Sequence, residues 1–320
     1  MSKRQWHRRF SLAKKTGLSA LLTAIPLGLS QAPQLAAIPL GLFLLACLGA
    51  PFWPHSSFFL PVISRGADGR EGIALTFDDG PFPDSTPVLL ELLARYRLPA
   101  TFFVVGERAA AHPELIAAIL AQGHTIGNHS FSHDNLLMLR ECDRVEADIR
   151  QTQEILANLG VRPLFFRPPI GVISPRLVPA LASLNLQAMT FSCRIFDRGN
   201  RNVHDLAARV MRKIRPGDIL LLHDNPPQSE EDMVYWKKEL QCLFERLAIE
   251  HQIVPLADLI GQPVMLPVDT AGISSVDIQT ASENLSPLPR TSIPTTAAAT
   301  AAVASVAIAA AKPGIAEAVG

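Results

Sequence analysis

Between residues 68 and 260, short apolar runs alternate with longer amphipathic patterns. Runs such as Ile73–Phe77 and Ala100–Val105 are each followed by a helical pattern, here Thr86–Tyr96 and Pro113–Gln122. This alternation predicts an α/β fold in which parallel strands are covered by helices. About seven strand–helix units fit into the segment, which favours a barrel over an open sheet. Further strands are predicted at 124–128, 164–167, 187–191, 218–222 and 253–256, and further helices at 140–159, 175–184, 204–214 and 232–250.

Several polar side chains fall at the carboxyl ends of these predicted strands. Asp78 and Asp79 follow the first strand, His129 follows the third, Arg167 ends the fourth and His223 ends a later one. In an α/β barrel each strand delivers its last residues to the same rim, where catalytic groups gather. We therefore expect these side chains to lie in one pocket.

The pair Asp78 and Asp79 is typical either of a metal site or of a turn. Neighbouring residues of an extended chain point in opposite directions, so one carboxylate can bind a metal while the other reaches a water molecule. The following Gly80 also permits a plain Asp-Gly turn. His129 and His133 lie four residues apart, and on a helical turn their imidazoles share one face, which suits zinc or another divalent ion. Two surface histidines are the alternative.

Three more residues are candidates for acid–base chemistry. His223 leaves the end of a buried strand and could act as a general acid, because a histidine pKa lies near working pH. The guanidinium of Arg167 could hold a carboxylate in a fixed pose. Asp197 follows the strand that ends at Phe191 and could orient His223. Other aspartates could do the same: Asp205, Asp218 and Asp224.

The N-terminal region differs from the rest of the chain. Six basic residues precede Thr16, and from Thr16 to Ser64 the sequence holds no Asp, Glu, Lys or Arg. Within that run Leu35–Trp53 gives nineteen apolar or neutral residues, enough for a transmembrane helix. Basic residues before the span place the following domain outside the cytoplasm, in the periplasm or at the cell surface. The alternatives are a signal peptide cleaved near Ala32, a two-helix hairpin with a cytoplasmic domain, and a buried soluble helix.

The C-terminal segment 261–320 contains no Phe, Trp or Tyr and is rich in Ala, Thr, Ser and Pro. Such a composition buries too little apolar area to offset the entropy of ordering, so we expect a disordered tail. A weak helix near Ala297–Ala311 is the alternative, because Ala favours helices. The chain is thus divided into a basic N-terminus with a membrane anchor (1–64), a folded domain (65–260) and a tail (261–320).

Charge and cysteine content argue against nucleic-acid binding and against cysteine-based sites. Lys and Arg together number 29, as do Asp and Glu, so no overall positive field attracts nucleic acid. The four cysteines are far apart and form no CxxC, which argues against a disulfide framework and a cysteine-based zinc site. The sequence predicts no particular oligomeric state.

Five motifs occur in a fixed order: Thr76–Gly80 (TFDDG), His129–His133 (HSFSH), Arg167–Gly171 (RPPIG), Phe196–Gly199 (FDRG) and Leu221–Asp224 (LLHD). Together they resemble the polysaccharide deacetylase family, also called the NodB-homology domain or carbohydrate esterase family 4, over about residues 70–258. The resemblance implies a distorted parallel (β/α) barrel and a divalent metal ion, usually zinc. Cobalt, nickel or iron would also suit the donor set.

By this resemblance, Asp79, His129 and His133 bind the metal ion. Asp78 takes a proton from the metal-activated water that attacks the acetamide, and His223 protonates the leaving amine. In the remaining implied roles, Arg167 tethers Asp78, Asp197 tunes His223, the main-chain N–H of Ile170 stabilises the oxyanion, and Leu221 lines the acetate pocket.

Two positions depart from the family pattern, and both bear on the function. Ile170 stands where the family often has an aromatic residue, and Arg198 stands where it often has Trp, which changes one wall of the acetate pocket. The complete set of ligands and acid–base groups favours an N-deacetylase acting on a cell-envelope glycan such as peptidoglycan, a chitin-like polymer or a biofilm glycan. The alternatives are an O-acetyl esterase acting on an acetylated xylan-type glycan and a non-catalytic, membrane-anchored glycan-binding protein.

Overall fold

A computed structural model of the protein describes residues 11–53 and 55–268. The strands are β1 (Val62–Ile63), β2 (Ala74–Asp78), β3 (Ala100–Val104), β4 (Thr125–Asn128), β5 (Val161–Pro163), β6 (Phe165–Phe166), β7 (Gln187–Met189), β8 (Cys193–Arg194), β9 (Ile219–His223) and β10 (Met265–Pro267). Among these residues eight strands form one parallel sheet in the order β1-β7-β6-β4-β3-β2-β9-β8. Its two edges, β1 and β8, remain apart, so the sheet curls into an incomplete barrel. The predicted α/β fold with a distorted parallel barrel is confirmed.

The described residues contain ten α-helices, and most of them follow the predicted pattern. They are α1 (Leu12–Gly28), α2 (Ala37–Gly49), α3 (Thr86–Tyr96), α4 (Gly106–Ala111), α5 (Pro113–Ala121), α6 (Cys142–Asn158), α7 (Leu177–Leu184), α8 (Leu206–Lys213), α9 (Glu230–Glu250) and α10 (Leu256–Ile260). The helix α3 has the bounds that its sequence predicts. Pro87 occupies its first turn, where the missing N–H has no helical partner to lose, and Leu89, Leu92 and Leu93 form its buried face.

One local prediction is wrong and several short elements were not predicted. The predicted strand 253–256 is reduced to one bridge between Ile253 and Ile73, after which the chain enters α10. The helices α4 and α10 and the strand β8 are not predicted. Each is too short for its hydrophobic period to stand out from a loop.

The central strands are buried on both faces. Every residue of β2 and of β3 is buried, because helices cover the outer face while side chains fill the interior. On the outer face the rings of Phe77 and Phe102 stack with their centroids 5.1 Å apart. Trp236 and Phe244 of α9 are fully buried against this layer. Each such aromatic side chain stabilises the fold by about 1.5–3 kcal/mol.

Strands that pair with the domain lie beyond both of its predicted ends, one in the parallel sheet and one in a separate two-stranded sheet. β1 lies inside the segment assigned to the anchor, and it pairs with β7. β10 lies inside the predicted tail, and it pairs antiparallel with β5. The boundaries at 64 and 261 stay predictions, although strand pairing crosses both of them. Composition gives no sign of this, because pairing with a distant strand leaves no signal in local composition. The rest of the predicted tail, from residue 269, lies outside the described residues.

The N-terminal helices form an antiparallel hairpin. Gly17 of α1 lies against the ring of Phe43, and Gly28 lies near Ala36. The helical stretch Pro33–Phe52 has a mean hydropathy of 2.1 and no buried residues, so it is long and apolar enough to cross a membrane or to serve as a signal sequence. The main-chain N–H of Ala13 donates to the carbonyl of Phe58, which brings the start of α1 back to the chain that enters the domain.

Candidate metal centre and acid–base site

The polar residues predicted at the strand ends meet at the carboxyl edge of the sheet. Asp78 ends β2 and stands directly beside His223, which ends β9. On the other side of β2, the strand order runs through β3 to β4, which His129 follows, and then to β6, which Arg167 follows. One rim therefore collects side chains from four strands that are far apart in sequence.

Asp79, His129 and His133 form a compact cluster of metal-ligand type. The Nε2 atoms of His133 and His129 lie 2.9 and 3.3 Å from Oδ1 of Asp79, and the three donor atoms all lie within 4.8 Å of one another. Nδ1 of His129 lies 2.7 Å from the carbonyl of Arg167, so this nitrogen carries the proton and Nε2 is left to bind. Two imidazoles and one carboxylate are a zinc-type donor set with room for a further ligand.

The pKa of Asp79 reflects this cluster. Burial by itself raises the pKa of the carboxyl, but hydrogen bonds from His129 and His133 and the charge of His129 outweigh it, so the pKa lies well below its ordinary value. Asp79 therefore stays ionised across the physiological range. An ionised carboxylate is the form that binds a divalent cation.

The loop that carries the two histidines is not a helical turn, which corrects the sequence-based interpretation. Ser130 and His133 both have positive φ angles, 71° and 50°. The loop is shaped by Asp148 of α6, whose carboxylate accepts hydrogen bonds from the N–H of Phe131 and from the hydroxyl of Ser132, both at 2.6 Å. The imidazoles converge because this buried carboxylate folds the loop, not because of helical spacing.

Asp78 is held by a fully buried arginine. Nη1 of Arg167 donates to Oδ1 of Asp78 at 2.6 Å and to the hydroxyl of Thr76 at 2.9 Å. Burial lowers the pKa of the Arg167 guanidinium, and the charge of Asp78 opposes that shift. The second oxygen of Asp78 lies 3.8 Å from Nε2 of His129, so it faces the ligand cluster and is free to accept a proton.

His223 pairs with Asp197 on the other side of the site. Nδ1 of His223 lies 2.7 and 2.9 Å from the two carboxylate oxygens of Asp197. Burial lowers the pKa of His223, but the charge and hydrogen bond of Asp197 more than reverse this and raise it to about 9. The other aspartates considered are engaged elsewhere or exposed: Asp218 contacts Ser192 and Arg65, Asp224 contacts Thr86, and Asp205 lies at the surface.

Ile170 and Leu221, predicted as the oxyanion donor and as the lining of the acetate pocket, differ in exposure. Ile170 has a φ of 53° within the tight turn Pro169–Gly171, and its side chain is half exposed. Leu221 is buried in the interior layer of the barrel, together with Phe103 and Phe191. The left-handed backbone at Ile170 is uncommon for a branched residue and marks a strained turn at the rim.

Several residues that build the site were missed in the sequence. Asp148 positions the histidine loop, Nη1 of Arg108 donates to the carbonyl of Asp79, and Nδ2 of Asn200 donates to the carbonyl of His223 at 2.9 Å. Burial raises the pKa of Asp224 to about 7 even though Thr86 and Ser85 hydrogen-bond to this residue. Asp148 did leave a signal, because it is a charged residue on the apolar face of a predicted amphipathic helix.

Asp148→Asn is expected to weaken metal binding roughly 10–100-fold, as loss of an outer-sphere partner does. One asparagine oxygen cannot replace two carboxylate oxygens that accept from Phe131 and Ser132. Metal titration followed by acetate release would show reduced affinity with kcat recovered at high metal. Asp143→Asn, an exposed change on the same helix, is the control and should behave as wild type. Unchanged metal affinity in Asp148→Asn would contradict the positioning role.

A curled parallel barrel that gathers carboxylates and imidazoles at the carboxyl ends of its strands is typical of a hydrolase whose active site lies at that rim. The sequence profile of the polysaccharide deacetylase family matches residues 65–189. A chitooligosaccharide deacetylase of Sinorhizobium fredii is 36% identical over 179 residues, which cover 54% of this chain and 80% of the relative. A peptidoglycan-N-acetylglucosamine deacetylase of Bacillus cereus is 35% identical over 50% of this chain and 58% of the relative.

Solved structures agree with these sequence matches. The crystal structure of a peptidoglycan N-acetylglucosamine deacetylase superposes with a TM-score of 0.57 and 29% identity, covering 63% of this chain and 94% of that one. The chain belongs to the polysaccharide deacetylase family, whose members are hydrolases acting on carbon–nitrogen bonds. The resemblance seen in the five motifs is thereby confirmed.

Proposed function

We propose that the protein is a metal-dependent deacetylase that removes N-acetyl groups from a cell-envelope glycan. The observation that carries the proposal is the convergence of a three-ligand cluster, a tethered carboxylate and an imidazole–carboxylate pair on one rim. Amide hydrolysis needs a base for the attacking water and an acid for the leaving nitrogen. These two groups are Asp78 and His223.

The residues divide the reaction between them. Asp79, His129 and His133 would hold the divalent ion, which when bound lowers the pKa of water to about 7 and polarises the acetamide carbonyl. Asp78 accepts the proton of the attacking water at Oδ2, because Arg167 occupies Oδ1.

Protonation of the leaving nitrogen is the task of His223 and its partner Asp197, on the other side of the site. His223 donates its Nε2 proton to the leaving nitrogen, because Asp197 holds Nδ1 and keeps the ring charged. The carbon–nitrogen bond then breaks to give acetate and the free amine. The main-chain N–H of Ile170 stabilises the oxyanion, and Leu221 forms the apolar floor under the acetyl methyl group.

The acid favours an amide over an ester as the substrate. An amine leaves only when its nitrogen is protonated, whereas an alkoxide leaves more readily. A histidine whose pKa is raised to about 9 is a proton donor throughout neutral pH. O-acetyl esters of xylan-type glycans remain the second candidate. A purely glycan-binding role has no need of a charged imidazole with its own carboxylate.

Acetate release tests the proposal directly. Full-length protein in detergent, loaded with zinc or cobalt, should release acetate from N-acetylglucosamine oligomers faster than from acetylated xylan. Dialysis against a chelator should abolish release and added metal should restore it, while elemental analysis identifies the native ion among zinc, cobalt, nickel and iron. Metal-loaded protein that releases no acetate from either substrate would overturn the proposal.

Asp197→Asn is expected to shift the alkaline limb of the kcat/KM profile to lower pH by about one unit or more. The raised pKa keeps His223 protonated up to about pH 9, and the proton donor is lost above that pH. Asparagine keeps a hydrogen-bond acceptor but removes the charge, so the imidazole loses its proton earlier. The exposed Asp205→Asn should leave the limb in place. An unmoved limb in Asp197→Asn would rule out Asp197 as the tuning group.

The apolar N-terminus fits a membrane anchor that holds the domain outside the cytoplasm, where envelope glycans lie. Thr16–Ser64 carries no charged residue, and Pro33–Phe52, the one candidate span among the described residues, exposes most of its large side chains, as lipid contact requires. In the proposed arrangement only this stretch crosses the membrane, since two crossing helices would return the domain to the side of the N-terminus. In this division of the chain the hydrolase domain begins near Leu60, which is buried, and reaches at least to Val268.

Cysteine labelling checks this placement. Cys142 and Cys242 are exposed on the domain, so a membrane-impermeant maleimide should label them in spheroplasts without lysis. Labelling that requires lysis would place the domain in the cytoplasm, as expected for a hairpin with both ends on that side. The double variant Cys142→Ser, Cys242→Ser supplies the background.

A further inference from the structure

The loop after β8 has an unusual backbone. Phe196, Arg198 and Asn200 have φ angles of 54°, 56° and 61°, and Gly199 has 65°. The left-handed region is unfavourable for residues that carry a Cβ, so a run of three such residues persists only where the surroundings impose it. Strain of this kind is concentrated at binding and catalytic sites.

Two anchors impose this conformation. Asp197 is buried and bonded to His223. The side-chain amide of Asn200 donates to the carbonyl of His223 at 2.9 Å and to that of Asn225 at 2.7 Å. Hydrogen bonds on both sides of Arg198 therefore hold the loop against the end of β9, where His223 lies.

Arg198 lies between the two halves of the site. On one side is Asp197, the partner of the acid, and on the other is Gly199, where a Cβ atom would lie 3.9 Å from Oδ2 of Asp79. The side chain of Arg198 is exposed. It has no ion pair or hydrogen bond with any residue of the described ranges. An exposed guanidinium without a partner among the described residues is thus carried by the residue between Asp197 and Gly199, at the edge of the site.

The surrounding charge is also positive. Between residues 194 and 201 the sequence has three arginines and one aspartate, in a chain with no net charge. The guanidinium of Arg194 lies 4.8 Å from the centre of the exposed Phe196 ring. The one acidic residue of this stretch, Asp197, is already paired with His223. A cleft edge of one sign concentrates ligands of the opposite sign.

We propose that Arg198 forms an anion subsite, which selects glycans that carry a carboxylate or a phosphate on the sugar next to the N-acetylated one. The planar guanidinium binds either group through two parallel N–H···O hydrogen bonds. The inference rests on the proposed deacetylase function and names the class of substrate for the same site. The subsite also gives the strained loop 196–200 a role in substrate selection, which the hydrolysis step does not require.

Matched substrates test the subsite. They are a neutral N-acetylglucosamine oligomer, an oligomer of equal length whose alternate sugars bear a lactyl carboxylate, and one that bears a phosphate monoester. In metal-loaded full-length protein, Arg198→Gln should raise KM roughly tenfold for an acidic oligomer and leave the neutral oligomer within about twofold. Arg198→Lys keeps the positive charge but loses the two parallel N–H donors, so its KM for an acidic oligomer should lie between those of wild type and Arg198→Gln. The acidic oligomer with the larger loss identifies the anion.

Arg212→Gln is the matched control, because Arg212 is exposed in the last turn of α8, which leads to the opposite end of the sheet. It should change neither KM. Equal losses on neutral and acidic oligomers in Arg198→Gln, or an equal effect in Arg212→Gln, would overturn the inference.

Binding to Asp78→Asn protein decides the point independently of turnover. Calorimetry should show tighter binding of an acidic oligomer than of the neutral one, and the difference should vanish when Arg198→Gln is added and shrink as salt is raised. Equal affinities for acidic and neutral oligomers would refute the subsite even in an active enzyme. Conversely, if the wild type releases no acetate from any oligomer, the deacetylase proposal fails while the affinities still decide for or against Arg198.

Discussion

Asp78→Asn is expected to lower kcat for acetate release by roughly 10²–10⁴-fold, the usual contribution of a general base. Asparagine has nearly the same shape and can still accept the hydrogen bond from Arg167, but its amide cannot take a proton from water. Metal content should stay at the wild-type level, because the ligand cluster of Asp79, His129 and His133 is untouched.

Two controls accompany Asp78→Asn: its thermal stability and the activity of a variant at a neighbouring aspartate. Removing the charge leaves the buried Arg167 without its counter-ion, and breaking a buried pair costs about 3–5 kcal/mol when the remaining charge is uncompensated. A thermal melt must therefore show that the variant is folded at the assay temperature. The exposed Asp84→Asn, on the same loop, should keep full activity. A folded, metal-loaded Asp78→Asn protein that retained a tenth or more of wild-type kcat would exclude Asp78 as the base.

Asp79→Asn, one residue further along, is expected to abolish activity by a different route. A neutral amide oxygen is a poor ligand for a divalent cation, and the carboxylate that contacts both imidazoles is lost. Metal affinity should fall by 100-fold or more, since this is an inner ligand and loss of outer partners alone costs about 10–100-fold. Elemental analysis after dialysis should find the variant nearly metal-free.

Comparing metal content and turnover in Asp78→Asn and Asp79→Asn tells more than either variant does alone. Asp78→Asn should hold metal and fail to turn over, whereas Asp79→Asn should fail to hold metal and recover some activity as zinc is raised. Two adjacent, isosteric changes would thus separate proton transfer from metal binding. If both variants lost metal equally, the two carboxylates would share the ligand role, and the base would have to be sought elsewhere.

The backbone explains how neighbours can take such different roles. Asp78 is the last residue of β2 and keeps strand geometry, while Asp79 has a φ of 76° and turns out of the sheet. The two carboxylates were expected to diverge, because neighbouring residues of a strand point in opposite directions. Both instead approach the same imidazole, with oxygens 3.8 and 3.3 Å from Nε2 of His129, because the left-handed residue Asp79 turns the chain where the strand ends.

Much of the fold followed from periodicity. Long amphipathic helices such as α3 and α6 stand out locally because burial imposes a helical period, and mainly apolar strands such as β2 and β9 stand out as short apolar runs. The short strands β1, β8 and β10 could not be recognised from a local pattern. A strand of two or three residues is held by pairing with a distant strand, and no local pattern records that pairing.

The sequence by itself determined which polar residue types meet at the rim and which strand ends carry them, since parallel strands bring their carboxyl ends to one rim whatever the loops do. Only the tertiary structure decided which aspartate meets His223 and that Asp148 folds the histidine loop. It also decided that Arg198 has no side-chain partner among the residues that the structure describes. Those contacts join residues that are distant in sequence, and their formation depends on how helices and loops pack in three dimensions. Composition and spacing cannot encode that packing in any single stretch of chain.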